Sequence, residues 1–439
     1  MSAARTPAAY QALPSRRLGG VMDVPGDKSI SHRALMLGGL AEGMTRITGF
    51  LAGEDCLSTL AALQAMGVRI RRPGATEVIV HGAGMDSLRA PAGPLDMGNA
   101  GTAMRLFMGL LSGAPFETTL IGDQSLMRRP MERVALPLRL MGAQIDTSAG
   151  KPPVVIHGGA PLTAIDYLLP VASAQVKSAI LLAALSAHGT TRVTEPAPTR
   201  DHTERMLGGF GVQLERSGAT VSLLGGQRLR ARAVDVPGDI SSAAFFLVAG
   251  ALSSVDGLTL RNVGINPTRT GILDMLRLMG ADLTIKPRAP QGVEPTADIT
   301  VRAAPLHGIH VPLELVPLAI DEFPVFFIAA AAASGETLVT GAAELRVKES
   351  DRLAVMAEGL QALGVQCELL PDGMRIIGGA IGGGTVHSHG DHRIAMAFAV
   401  AAARATAPIR IEDVANVATS FPGFPELARR IGLQIEEGG

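Results

Sequence analysis

The stretch Pro25-Gly26-Asp27-Lys28-Ser29-Ile30-Ser31-His32-Arg33 concentrates two side-chain cations and two hydroxyls at a turn that opens a helix. Pro25 and Gly26 break the preceding strand, and Asp27 or Ser29 can cap the N–H groups that follow. The apolar run from Ala34 to Leu40 continues helically. Lys28 and Arg33 therefore stand at or beside a helix N-terminus, where the backbone already attracts anions. That chemistry suits a phosphate or a carboxylate. A capped surface helix with solvated charges accounts for the stretch equally well.

An echo separates the two readings. Asp23-Val24-Pro25-Gly26-Asp27 recurs letter for letter as Asp235-Val236-Pro237-Gly238-Asp239, and both copies lead into an apolar helix containing serine. The second copy has Ile240 in place of Lys28 and Ala244 in place of Arg33. A duplicated scaffold with one specialised anion site would look like this.

Composition limits the alternatives. The chain has 439 residues, 47% apolar and 18% charged, which allows two or three domains and a large core. A net charge of −1, no tryptophan and 3% aromatics argue against a nucleic-acid or anionic-membrane binder. No uninterrupted apolar run reaches the roughly 18 residues of a membrane span, and residues 1–18 lack a signal-peptide core. Cys56 and Cys367 cannot build a disulfide framework, and no His/Cys cluster has zinc spacing. A reducing cytoplasm is the expected compartment.

Positioning such residues requires a repeated framework. Helices ending in an apolar residue plus glycine recur at Met66-Gly67, Met141-Gly142, Phe210-Gly211, Met279-Gly280, Leu363-Gly364 and Ile431-Gly432. Their spacing of roughly 70 to 85 residues marks internal repeats. Glycine there fits the left-handed residue that stops a helix. Within each unit a loop leads into a first helix, apolar all round: Ser29–Leu40, Gly101–Leu111, Ala174–Leu185, Ile240–Ala251, Glu322–Ala333 and His392–Ala402. A strand such as Thr45-Arg46-Ile47-Thr48 or Thr190-Thr191-Arg192-Val193 follows, then a second, amphipathic helix. Asp201-His202-Thr203-Glu204 has capping-box spacing at one such helix. Six βαβαββ-like units result, with the first helices inside and the second outside. The duplicated pentapeptide divides them into two α/β domains of three, residues 21–235 and residues 1–20 plus 236–439.

The residues capable of chemistry gather at helix starts. First helices bring Lys28, Ser29 and Arg33; Asn99, Gly101 and Thr102; Ser173 and Gln175; Asp321 and Glu322; Asp391, His392 and Arg393. Second helices bring Glu54 and Asp55; Arg128 and Arg129; Arg200; Lys348, Glu349 and Arg352. Read singly, Arg128-Arg129 is a solvated pair, Lys348 to Arg352 an exposed ion-pair face, Ser173 a cap, His392 a structural histidine, and Met275 and Met279 core. Units placed in parallel would bring these starts to one surface.

Taken together, Gly26–Arg33, Gly98-Asn99-Ala100-Gly101-Thr102-Ala103-Met104-Arg105, Arg129-Pro130-Met131, Ser173-Ala174-Gln175-Val176-Lys177-Ser178, Arg346–Arg352 and Gly390-Asp391-His392-Arg393-Ile394-Ala395-Met396 resemble the 5-enolpyruvylshikimate-3-phosphate synthases over nearly the whole chain. The resemblance implies two inside-out α/β barrels, the enolpyruvyl transferase fold. It implies transfer of the enolpyruvyl group of phosphoenolpyruvate to shikimate 3-phosphate, through addition and elimination, without metal or cofactor. It assigns Lys28, Ser29, Arg33, Ser173, Ala174, Gln175, Arg200, Asp321 and Lys348 to shikimate 3-phosphate. Lys28, Gly101, Arg129, Gln175, Arg352 and Arg393 go to phosphoenolpyruvate. Asp321 and Glu349, assisted by Lys28 and His392, are the expected proton carriers. The expected partners are these two metabolites alone, acting on a monomer that closes on binding them.

Thr419 stands where the better-known class of this family has a lysine, and Thr199-Arg200-Asp201 where it has a tyrosine; both features resemble its second class. Members of that class that tolerate glyphosate carry alanine at the position of Gly101, so this chain is expected to be sensitive. Two rivals remain. A UDP-N-acetylglucosamine enolpyruvyl transferase would carry a catalytic Cys or Asp on a mobile loop, a place Cys56 does not occupy. A non-catalytic anion-binding repeat protein would lose affinity little and turnover not at all when Asp321 or Glu349 is replaced.

Overall fold

The computed structural model describes residues 9–289 and 292–438. What was expected of residues 1–8 lies outside them. The chain divides into two compact units. The N-terminal unit holds Gly26–Val236 and residues 292–294; the C-terminal unit holds residues 9–25, 237–289 and 295–438. Each has its own apolar core.

The first helices form where expected: Lys28–Leu40, Gly101–Leu111 and Ala174–Ala184 in the N-terminal unit, Ile240–Ser253, Phe323–Ala332 and His392–Ala401 in the C-terminal unit. Every residue of Ile240–Ser253 is buried, as an all-apolar helix requires. These inner helices pack on one another within each unit, and the sheets lie around them. All six terminating glycines have positive φ, from 79° at Gly364 to 103° at Gly142. An L side chain is disfavoured there, so each is a firm stop before the next strand.

The sheets show the repeat directly. Leu95–Asp96 runs parallel to Thr118–Ile121, which pairs antiparallel with Lys151–His157, and that strand with Gln144–Ser148. Asp166–Leu168, Thr190–Thr194, Thr220–Leu224 and Leu214–Ser217 repeat the pattern. The fifth unit keeps three strands of its own, Glu336–Val339, Gly373–Ile377 and Gln366–Leu370, while the first, fourth and sixth are completed from elsewhere in the chain. Ala9–Leu13 pairs with Ile409–Glu412 and Gln434–Gly438, joining the sixth unit.

The duplicated pentapeptide marks an exchange of strands. Gly20–Asp23 leads into the helix Lys28–Leu40 yet pairs with Leu258–Gly264. Val234–Asp235 leads into Ile240–Ser253 yet pairs with Glu42–Thr48. Residues 21–25 therefore belong with the C-terminal unit, which corrects the boundary expected at residue 21. Residues 292–294, between the strands Asp282–Pro287 and Thr296–Arg302, likewise pack with the N-terminal unit. The turn is tight enough to require glycine: a Cβ on Gly26 would lie 1.8 Å from the Gly49 carbonyl oxygen.

Candidate active site

In the N-terminal unit the inner helices start at one end. Gln175 Nε2 donates to Thr102 Oγ1 at 2.9 Å, joining the first turns of the second and third helices. Arg33 Nη2 donates to Ser178 Oγ at 3.0 Å, joining the first to the third. Asp27 is the cap of the first helix, accepting from the Ile30 N–H at 2.8 Å. Ser173 caps the third, accepting from Val176 at 3.4 Å. Ala174 opens that helix beside it.

Lys28 extends from this end and pairs with Asp55 at 2.9 Å, its side chain 18% exposed. Ser29 is half-buried and its carbonyl oxygen accepts from Arg33 Nη1 at 3.0 Å. Arg33 turns inward: its Nε donates to Thr203 Oγ1 at 2.7 Å. Burial pulls its guanidinium down to about 10, against the opposing pull of Glu204 and Asp27. Burial, then the Lys28 and Arg33 charges, lowers the neighbouring His32 to about 3, so its imidazole is neutral. It bonds Thr59 Oγ1 through Nδ1 at 2.7 Å.

Arg128 is exposed whereas Arg129 is buried, so the two are not a solvated pair. Arg129 Nη2 donates to Asn99 Oδ1, and Asn99 Nδ2 to Asp123 Oδ2 at 2.7 Å. Its guanidinium lies against Gly101. Arg105, to which the sequence alone gives no role, donates to Gln175 Oε1 and to the Pro130 carbonyl oxygen at 3.2 Å. Its signal was its place one helical turn after Gly101. Asp201 does not cap its helix; its carboxylate accepts from Arg205 Nε at 2.9 Å, while Glu204 pairs with Lys177. Cations thus take both groups of the expected capping box, Arg205 from the same helix and Lys177 from the third inner helix. Arg200 is half-buried.

The C-terminal unit builds a second cluster around Arg352. This residue is 1% exposed, not part of a solvated ion-pair face. Nε donates to Asp391 Oδ2 at 2.8 Å, Nη2 to Glu349 Oε2 at 2.6 Å, and Nη1 to Asp321 Oδ1 at 3.3 Å. Lys348 Nζ adds a second cation 3.4 Å from Asp321 Oδ1. Arg393 Nη1 donates to the Asp321 carbonyl oxygen at 3.0 Å. Asp391 caps the sixth inner helix, accepting from the Arg393 N–H at 2.9 Å, and His392 is buried beside it. Burial opposes the charge on Arg352, but Asp391, Glu349 and Asp321 outweigh it and raise its pKa. Burial likewise disfavours the Asp391 carboxylate, and Arg352 holds its pKa below the usual range. A planar fork shared by three carboxylates fixes their positions.

The expected residues thus collect into two sets, one per unit, at the starts of inner helices and in the segments that lead into the second helices. Oriented N–H groups and cations suit anionic ligands, and the Arg352 guanidinium holds the Asp321 and Glu349 carboxylates among them. Among the described residues no His/Cys/Asp/Glu group could hold a metal ion, and no helix is long and apolar enough to cross a membrane.

Comparison with known proteins bears on what this chemistry serves. Residues 13–427 match the family model described as EPSP synthase (3-phosphoshikimate 1-carboxyvinyltransferase). A 3-phosphoshikimate 1-carboxyvinyltransferase from Alkalilimnicola ehrlichii is 62% identical over 431 residues, covering 98% of this chain and 97% of that protein. One from Methylococcus capsulatus is 59% identical over 428 residues, covering 97% and 98%. The solved EPSP synthase from Acinetobacter baumannii superposes with a TM-score of 0.88 at 54% identity, covering 98% of this chain and 99% of that one. The α/β fold of helices enclosed by mixed sheets is that of these enzymes. With four of the six motifs at the starts of inner helices, the other two leading into second helices, and this likeness along nearly its whole length, the chain belongs to the EPSP synthase (3-phosphoshikimate 1-carboxyvinyltransferase) family.

Proposed function

We propose that the two helix-end clusters carry the reaction of the family. That reaction transfers the enolpyruvyl group of phosphoenolpyruvate to the 5-hydroxyl of shikimate 3-phosphate and releases phosphate, a step of the shikimate pathway to chorismate and the aromatic amino acids. Lys28, Ser29, Arg33, Ser173, Ala174, Gln175 and Arg200, with Asp321 and Lys348, take shikimate 3-phosphate. Lys28, Gly101, Arg129, Gln175, Arg352 and Arg393 take phosphoenolpyruvate. Both sets serve the same two substrates, and the two groups of three repeat units act as the two domains of one enzyme.

The observation that carries this reading is the Arg352 cluster. Its guanidinium holds Asp321 and Glu349 at fixed places beside Lys348 and Arg393, so two carboxylates stand among cations at helix N-termini. Asp321 is assigned to the acceptor hydroxyls and Glu349 to proton transfer, with Lys28 and His392 assisting the protons and the departing phosphate. In the addition step the 5-hydroxyl oxygen bonds to C2 of phosphoenolpyruvate and C3 gains a proton. In the elimination step the phosphate C–O bond breaks and C3 loses one. The reaction draws on no metal or organic cofactor, and the chain works as a cytoplasmic monomer.

Phosphate release tests the reading when each acceptor is offered in turn. Turnover is expected with shikimate 3-phosphate and not with UDP-N-acetylglucosamine. Release with the nucleotide sugar alone, or with neither, refutes it.

A further inference from the structure

A lysine with no exposed side-chain surface lies in the N-terminal unit, in the third inner helix. Lys177 Nζ is 2.8 Å from Glu195 Oε1 and 2.6 Å from Glu204 Oε1. Its side chain is 0% exposed, and those of the two glutamates are 1% and 12% exposed. Burying three charges is costly unless they hold one another in place. An apolar helix packed like its neighbours gains nothing from such a residue at this position, so the cluster points to a fixed geometry elsewhere.

The two glutamates show where. Glu195 directly follows the strand Thr190–Thr194, and Glu204 lies in the first turn of the helix His202–Gly209. Between them runs an irregular segment carrying Arg200. Lys177 therefore grips both ends of the loop that presents Arg200. The grip is extended on each side. Thr199 donates from Oγ1 to Glu195 Oε1 and is itself buried. Thr203 donates to Ser178 Oγ at 2.7 Å, on the residue after Lys177. His202 Nδ1 bonds Glu294 Oε1 at 2.7 Å. The residues flanking Arg200 are tied to the interior, while Arg200 itself stays half-exposed.

We propose that Lys177 is the positioning residue for Arg200: through Glu195 and Thr199 before it and Glu204 after it, Lys177 sets the guanidinium where the phosphate-bearing acceptor must meet it. Lys177 touches no substrate. This rests on the reading that Arg200 holds shikimate 3-phosphate. A preset guanidinium binds without first losing the freedom of a mobile loop, so loosening the loop lowers affinity for that substrate alone.

The test is steady-state kinetics with each substrate varied, on Arg200→Ala, Lys177→Met and Thr199→Val. Thr199→Val is the gentler probe, since it cuts the loop from Glu195 and leaves the three charges intact. If Lys177→Met does not fold, Thr199→Val decides. Loss of a charge-assisted link is expected to raise the KM for shikimate 3-phosphate about tenfold, with the KM for phosphoenolpyruvate within about twofold. Adding Thr199→Val to Arg200→Ala is expected to raise it no further. An unchanged KM in Thr199→Val, with a raised one in Arg200→Ala, overturns the positioning role and leaves the reading of the site standing. An unchanged KM in Arg200→Ala overturns that reading. A Thr199→Val effect of the same size in both backgrounds overturns the route through Arg200.

Discussion

Arg129 Nη1 lies 2.9 Å from the point that a Cβ on Gly101 would occupy. A methyl group there must move the guanidinium, and Asn99 and Ser125 hold that group on its other side. Gly101→Ala should therefore act on the phosphoenolpyruvate side of the reaction. A shift of a few tenths of an ångström in a charged hydrogen bond is expected to raise the KM for phosphoenolpyruvate about tenfold and leave that for shikimate 3-phosphate unchanged. Glyphosate is expected to compete with phosphoenolpyruvate in the wild type at concentrations near that KM, and to weaken in step in the variant. An equal rise in both KM values would contradict this.

The Arg352 fork makes a prediction about stability. Arg352→Met leaves Asp391 ionised and buried without its guanidinium, and a broken buried pair costs about 3–5 kcal/mol. Denaturant unfolding of the single variant and of Arg352→Met with Asp391→Asn measures this. The double variant should recover a large part of the loss. Equal stability of the two variants would show that the pair does not hold the cluster.

Removing a carboxylate should instead spare stability and stop the chemistry. Glu349→Gln and Asp321→Asn are each expected to lower kcat by about 10²–10⁴, the range of a lost general acid or base. Solvent deuterium appearing at C3 of phosphoenolpyruvate separates the two roles. Glu349→Gln should slow that exchange most, and unimpaired exchange in this variant would remove Glu349 from proton transfer.

His32 should make the protein acid-sensitive well above the carboxylate range. It is neutral when folded, with a pKa near 3, against 6.5 in an unfolded chain. Below pH 6.5 the unfolded state gains a proton that the folded state refuses, so stability falls as pH drops from 6.5 towards 3. From pH 7 to pH 5 this one group accounts for about 2 kcal/mol. His32→Asn, which can keep a hydrogen bond to Thr59, should lose less stability over that interval by the same amount. Parallel pH profiles for variant and wild type would contradict it.

Local features of the fold were legible in the sequence. Gly67, Gly142 and their four counterparts announced helix ends because a positive φ is a property of one residue. Inner helices such as Ile240–Ser253 announced their burial by carrying no charged residue. Pairings between distant segments were not legible. Nothing near Arg352 says that its guanidinium turns inward to Asp391 and Asp321, on other helix starts. The exchange of Gly20–Asp23 and Val234–Asp235 is hidden by the identity of the two pentapeptides: the same letters serve either partner strand. Asp201 and Glu204 had capping spacing, but Arg205 and Lys177 compete for the same carboxylates. The sequence points to the helix starts, but it gives no role to Arg105 and Lys177, set deeper in those helices, because their partners Gln175 and Glu195 lie far along the chain.

Carbon NMR of [2-13C]phosphoenolpyruvate with shikimate 3-phosphate tests the central claim most directly. The wild type is expected to convert the label to an enolpyruvyl ether with one phosphate released per product. Lys28→Met, in one unit, and Asp321→Asn, in the other, should each slow the appearance of that signal by about 10²-fold or more. Conversion at the wild-type rate in either variant, or labelled pyruvate as the only wild-type product, would contradict the account.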